Sequence, residues 1–185
     1  MKEKELIKAC SKGSPEAQKQ LYDLYGPGLM GLCLRYAGNR EDAEEIFHDA
    51  MMKVYHSISK FKDQSKLSTW INRIGINCAI DFLRKKRNAL IVEHITDRIS
   101  EIGEKDDIIP PSIEAELAMK LLKTMPLGQQ MIINMFVIDE MSHKEIAKEL
   151  NISEVASRTQ YSRAKKALHE LFRNNVKKNE TGKSS

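Results

Sequence analysis

Apolar residues recur at steps of three and four along most of the chain. Leu21, Leu24, Tyr25, Gly28, Leu29, Leu32, Cys33 and Tyr36 form one such stripe, the spacing of a single α-helical face. Ser14-Pro15 stands ahead of it, a capping residue followed by a proline suited to the first helical turn. Gly38-Asn39 closes it. A second stripe runs Ala43, Ile46, Phe47, Ala50, Met51, Val54, Tyr55 and Ile58 and ends near Phe61. A third is Leu67, Trp70, Ile71, Ile74, Gly75, Cys78 and Phe82. With a short amphipathic start at Leu6-Ile7-Cys10, these helices can close one small core.

Between Asn88 and Pro111 the pattern fails, leaving acids, scattered isoleucines and the pair Pro110-Pro111. A structureless stretch of that length is unusual inside one compact domain. The expected organisation is therefore a domain over 1–87, a linker over 88–111, a second domain over 112–175 and a disordered tail over 176–185. In the second domain, one helix is predicted from Ile113 to Met125, stopped by Pro126, and another from Leu127 to about Ile138. Two more follow, separated by Asn151-Ile152-Ser153. No strand alternation is visible, so the predicted fold class is all-α: two small helical domains on a flexible linker.

The most informative stretch is Ser142 to Thr159. Ser142 and Glu145 have the spacing of a capping box. Ile146, Ala147 and Leu150 give the short helix its buried face. Asn151 suits the left-handed position at a helix end, and Ser153 can cap the next helix. In that next helix Val155, Ala156, Tyr161, Ala164 and Leu168 are expected on the packed side. The opposite side is assigned Ser157, Arg158, Thr159, Gln160, Ser162, Arg163, Lys165 and Lys166. This is a helix-turn-helix pattern with a face suited to DNA, whose N-terminal part reaches base edges while its flanks hold phosphates. An ordinary helical hairpin with a basic outer face has the same pattern.

The third helix carries its own polar stripe, Arg73, Asn77, Asp81 and Arg84, at steps of four, four and three. Arg84-Lys85-Lys86-Arg87 follows. Upstream lies Lys60-Phe61-Lys62-Asp63-Gln64-Ser65-Lys66, where an aromatic among lysines suits single-stranded nucleic acid; Phe61 can equally close the second stripe. Opposite in character is the outer face of the second helix, Glu41, Asp42, Glu44, Glu45, His48 and Asp49, which hints at a protein partner.

Charge sharpens this picture. The net charge is only +4, yet residues 53–87 hold 9 basic and 2 acidic groups and residues 142–185 hold 10 and 5, with an acidic block between. Basic blocks point to polyanion contact or to solvated helix faces. The composition, 41% apolar and 30% charged, supports a buried core. The uncharged stretch from Thr124 to Ile138 contains Pro126, Gly128, Gln129, Gln130 and Asn134, so it reads as a buried helix and not a membrane span. The N-terminus lacks an apolar signal core. A cytoplasmic location without membrane insertion is therefore expected. Cys10, Cys33 and Cys78 form no metal spacing and read as small core residues. His48, His56, His94, His143 and His169 offer no familiar ligand spacing. With no paired carboxylates, nucleophile elbow or phosphate loop, neither an enzyme nor a cofactor is expected.

Taken together, Asp42-Ala43-Glu44-Glu45-Ile46 through Asp49, Phe61, Thr69-Trp70-Ile71-Asn72-Arg73-Ile74, Asn77 and Asp81 to Arg87 resemble the main domain of extracytoplasmic-function (ECF) sigma factors. These are bacterial transcription initiation factors of the sigma-70 family. Met125-Pro126, Ser142 to Ala147 and Ser162 to Leu168 resemble the family's C-terminal promoter-binding domain. The resemblance covers roughly residues 5–87 and 112–173. It implies that Asp42, Glu45, His48 and Asp49 meet the clamp helices of the largest subunit of core RNA polymerase. Phe61 and Lys66, with Arg73, Asn77, Asp81 and Arg84, would capture unstacked bases of the melted minus-ten element of promoter DNA. The eight polar residues assigned to the last helix would read the minus-35 element. An anti-sigma factor is a further partner the family implies. His48 stands where the family usually has glutamine, and Val155-Ala156 where Gly-Thr is common.

Overall fold

A computed structural model describes the backbone of residues 2–86 and 115–181. The expected linker over 88–111 lies outside the described residues. The chain divides into two compact units, Met1–Asn88 and Ala89–Ser185. Among the described residues there is no strand.

The first unit is built from α1 (Glu3–Ser11), α2 (Pro15–Ala37), α3 (Arg40–Ser57), a 3-10 turn (Ile58–Lys60) and α4 (Leu67–Lys86). Local chemistry sets the boundaries. The Ser14 hydroxyl accepts the Ala17 N–H at 3.3 Å, capping α2 ahead of Pro15. Gly38 ends that helix at φ +79°, a conformation that costs a residue without Cβ little. One residue later the Asn39 side chain accepts the Asp42 N–H at 2.9 Å and opens α3.

α4 packs against both α2 and α3, and it buries a wider face than the predicted stripe. Leu67, Ile71 and Cys78 are joined there by Ile76, Ala79, Ile80 and Leu83. A Cβ at Gly75 would sit 2.5 Å from Leu29 Cδ1 and 3.4 Å from Leu32 Cδ2, so glycine permits the close approach of α2 and α4. In α2 the stripe needs correction. Leu24 is 60% exposed and Gly28 is also exposed. The buried face runs Ala17, Leu21, Leu29, Leu32, Cys33 and Tyr36, leaving Leu24 at its rim.

The second unit contains α5 (Ala115–Leu122), α6 (Leu127–Ile133), a π-helical continuation (Asn134–Ile138), α7 (His143–Leu150) and α8 (Glu154–Thr181). α5 stops at Leu122 instead of Met125. The Thr124 hydroxyl donates to the Leu121 carbonyl at 2.7 Å and turns the chain before Pro126. Leu121, Leu122, Met125, Ile133, Ala164 and Leu168 form one core cluster. α8 continues through Thr181, so the tail expected from residue 176 is helical over its first six positions. No glycine or proline interrupts the chain between Glu154 and Gly182, and nothing local stops the helix earlier. No helix among the described residues is long and apolar enough to cross a membrane.

Candidate nucleic-acid interface

In the first unit the end of the 3-10 turn and the segment that follows it form one wall of a groove of about 420 Å³, and the first two turns of α4 form the other. Lys60, Phe61, Lys62, Gln64 and Ser65 line the first wall, and Thr69, Trp70 and Arg73 the second. Phe61 meets Trp70 edge-on, with ring centroids 5.6 Å apart at 62°. The turn is braced from outside, since Lys4 reaches Asp63 at 3.0 Å. Half-buried aromatics and cationic side chains therefore share one concave surface, the combination that accepts a flat base and its phosphate.

Arg73 joins the groove to the polar stripe of α4. Asn77 and Asp81 follow on the exposed side, and Arg84 is half-buried. Lys53 of α3 lies 3.9 Å from Asp81, which limits how much negative charge that stripe presents. Lys66 is exposed beside the groove but does not line it.

On α3 the outer face holds Glu41, Glu45, His48 and Asp49, all exposed. Asp42 does not belong with them. It is 7% exposed, bonded by Asn39 Nδ2 at 2.8 Å and paired with Lys86 at the end of α4. Its place in the first helical turn puts it at the α3–α4 seam. Met52, 43% exposed, extends the acidic face by one turn and was not singled out by the sequence pattern.

In the second unit the capping box is present: the Glu145 N–H donates to Ser142 Oγ at 3.3 Å, and the Ser142 N–H donates to Glu145 Oε2 at 2.9 Å. Asn151 takes φ +55° at the end of α7. Ser153 Oγ accepts the Ala156 N–H at 3.0 Å and caps α8.

The rotation of α8 differs from the expected one. Ser157 is fully buried and Gln160 is 9% exposed; both face inward with Ala164 and Leu168. Val155, expected inside, is 63% exposed. The reason lies across the turn. His143 Nδ1 and Ser157 Oγ are hydrogen-bonded at 3.0 Å, and the His143 ring stacks on Phe136 at 4.4 Å and 17°. Tyr161 leans on Phe136 at 4.4 Å. Burial, followed by the Arg158 guanidinium, pushes the His143 imidazole below its ordinary range, with Glu154 opposing. The outward face of α8 thus carries exposed Val155, Arg158 and Lys166, with Thr159, Ser162, Arg163 and Lys165 half-buried beside them.

The Sigma-70 region 2 family model matches residues 21–89, and the Sigma-70 region 4 model matches residues 115–168. The ECF RNA polymerase sigma factor SigW of Bacillus subtilis (strain 168) is 30% identical over 181 residues, spanning 92% of this chain and 96% of SigW. The chain belongs to the ECF sigma factors. As a sigma factor it directs RNA polymerase to promoters and catalyses no reaction of its own.

More distant sigma factors align over nearly as much of the chain. The ECF RNA polymerase sigma-E factor of Escherichia coli (strain K12) is 22% identical over 173 residues, 88% of this chain and 90% of that protein. Two solved structures share the fold at 22% identity. One is the sigma factor RpoE of Bartonella quintana in complex with the anti-sigma factor NepR, with a TM-score of 0.55 over 84% of this chain and 96% of that one. The other is CnrH in complex with the cytosolic domain of CnrY, with a TM-score of 0.54 over 91% and 96%. The groove falls within the region 2 match, and the helix-turn-helix within the region 4 match.

Proposed function

We propose that the two units of this sigma factor divide one promoter between them. The first takes unstacked bases of the minus-ten element into the Phe61–Trp70–Arg73 groove and along the Asn77 side of α4. The second lays the start of α8 in the major groove of the minus-35 element, with Arg158, Thr159, Ser162 and Arg163 toward the bases and Lys165 and Lys166 toward phosphates. Glu45, His48 and Asp49 on α3 meet the clamp helices of the polymerase's largest subunit. An anti-sigma factor of the kind seen with RpoE and CnrH restrains the chain, which acts in the cytoplasm.

The groove is the observation that carries this reading. It combines two aromatic rings with cations beside a polar helix edge, and base–aromatic stacking contributes about 1–3 kcal/mol per base. That is enough to offset the few kcal/mol needed to pull a base from its stack. Polymerase supplies the remaining affinity by holding two weak readers on one chain.

The test uses holoenzyme assembled with purified core polymerase. Phe61→Ala and Asn77→Ala should leave duplex binding within about a factor of two while abolishing permanganate-reactive thymines in the minus-ten region. Normal melting in both variants would remove the groove from the mechanism.

A further inference from the structure

Val155 is the most exposed large apolar side chain of the described chain, 63% accessible in the first turn of α8. Its position follows from the inward anchoring of Ser157. Two residues along a helix are about 200° apart, so a Ser157 drawn in to His143 turns both Val155 and Thr159 outward. The Thr159 hydroxyl already donates to the Val155 carbonyl at 2.9 Å. Its γ-methyl is then the group it offers a partner. Val155 and Thr159 are four apart, hence neighbours on one face. They form a small apolar platform beside Arg158, which is itself held by Glu154 at 2.7 Å.

In the major groove only one base carries an apolar group on its edge, the C5-methyl of thymine. We infer that Val155 and Thr159 form a thymine-methyl sensor, selecting an A·T pair at one position of the minus-35 element. This rests on the reading of α8 as the duplex-reading helix. It adds a specificity contact that none of the basic residues can supply, because Arg and Lys prefer guanine. Flanking cations bring the platform to DNA, and the platform decides which base edge it tolerates.

Holoenzyme containing the full chain is first used to select its minus-35 element from a duplex library. Each thymine of the selected element, on either strand, is then replaced singly by uracil, which deletes only the methyl group. At one position the swap should weaken wild-type binding about fourfold, the worth of one buried methyl-sized group. Val155→Ala should bind the thymine duplex about as weakly as wild type binds the uracil duplex, and should not distinguish the two. Thr159→Ser, which keeps the hydroxyl and deletes the methyl, should lose part of the discrimination. The sensor is overturned if no uracil swap changes wild-type binding, if Val155→Ala keeps the full fourfold difference, or if the selected element has no A·T pair. Arg163→Ala serves as the separate control. If it leaves minus-35 dependence intact, the reading of α8 itself fails; if dependence falls while Val155→Ala is silent, only the methyl sensor fails.

Discussion

Asp42, in the first turn of α3, is paired with Lys86, in the last turn of α4, across 44 residues of sequence. The contact joins the start of the acidic helix to the end of the basic one. Asp42 also accepts from Asn39, so its carboxylate serves a cap and a seam together. Asp42→Ala should therefore destabilise the first unit by about 1.5–3 kcal/mol, the range for a hydrogen-bonded charged group. Urea unfolding should report that loss, whereas Glu45→Ala on the exposed face should change stability by less than about 0.5 kcal/mol.

The buried imidazole of His143 makes the second unit sensitive to acid. Its folded pKa lies below the ordinary value, so between that folded value and roughly pH 6.5 the unfolded chain holds more protons. Stability is full above pH 6.5 and is lost as pH falls toward the folded value. The thermal midpoint of the second unit should drop between about pH 7 and pH 5. His143→Phe keeps a ring against Phe136 and should flatten that dependence. An equal slope in the variant would assign the effect to other groups.

Inward and outward residues of α8 should separate cleanly. Ser157→Ala removes the partner of a buried imidazole and should cost about 1–3 kcal/mol of stability. Arg158→Ala, at an exposed position, should leave the melting curve nearly unchanged and weaken minus-35 binding by about 1–3 kcal/mol. Comparing thermal unfolding with binding to minus-35 duplexes distinguishes the two classes.

The three cysteines should be inert in the native protein. Cys10, Cys33 and Cys78 are all buried, and burial pushes the Cys33 thiol up to about 12. Because the thiolate is the nucleophile, alkylation at pH 8 should be slow for all three and should accelerate together in denaturant. Rapid labelling of Cys33 without denaturant would contradict the packing of α2 against α4.

Local chemistry was readable in the sequence where a residue's role is settled within a turn of itself. Ser14, Gly38, Ser142, Asn151 and Ser153 act through their immediate neighbours, and each sits where its chemistry indicated. The broad face of α3 was readable too, because one strong stripe leaves no competing rotation. The rotation of α8 was not. Its first two turns bury Ser157 and Gln160, both polar, so hydrophobicity pointed the wrong way. The deciding partner, His143, lies fourteen residues back. Asp42 was misplaced for a similar reason, since an acid in a first turn looks like a surface acid until Lys86 is seen beside it. The groove was half visible: Phe61 stood out among lysines, but its edge contact with Trp70 is tertiary.

α4 is packed on the faces that meet α2 and α3, down to the missing Cβ of Gly75, while Asn77 and Asp81 remain outside. The packed side and the exposed polar side are thereby separated on one rod. Substitutions at Asn77 and Asp81 on that outer edge should therefore cost little folding stability, because neither side chain belongs to the packed face. On the inner side, a methyl added at Gly75 must displace the Leu29 side chain.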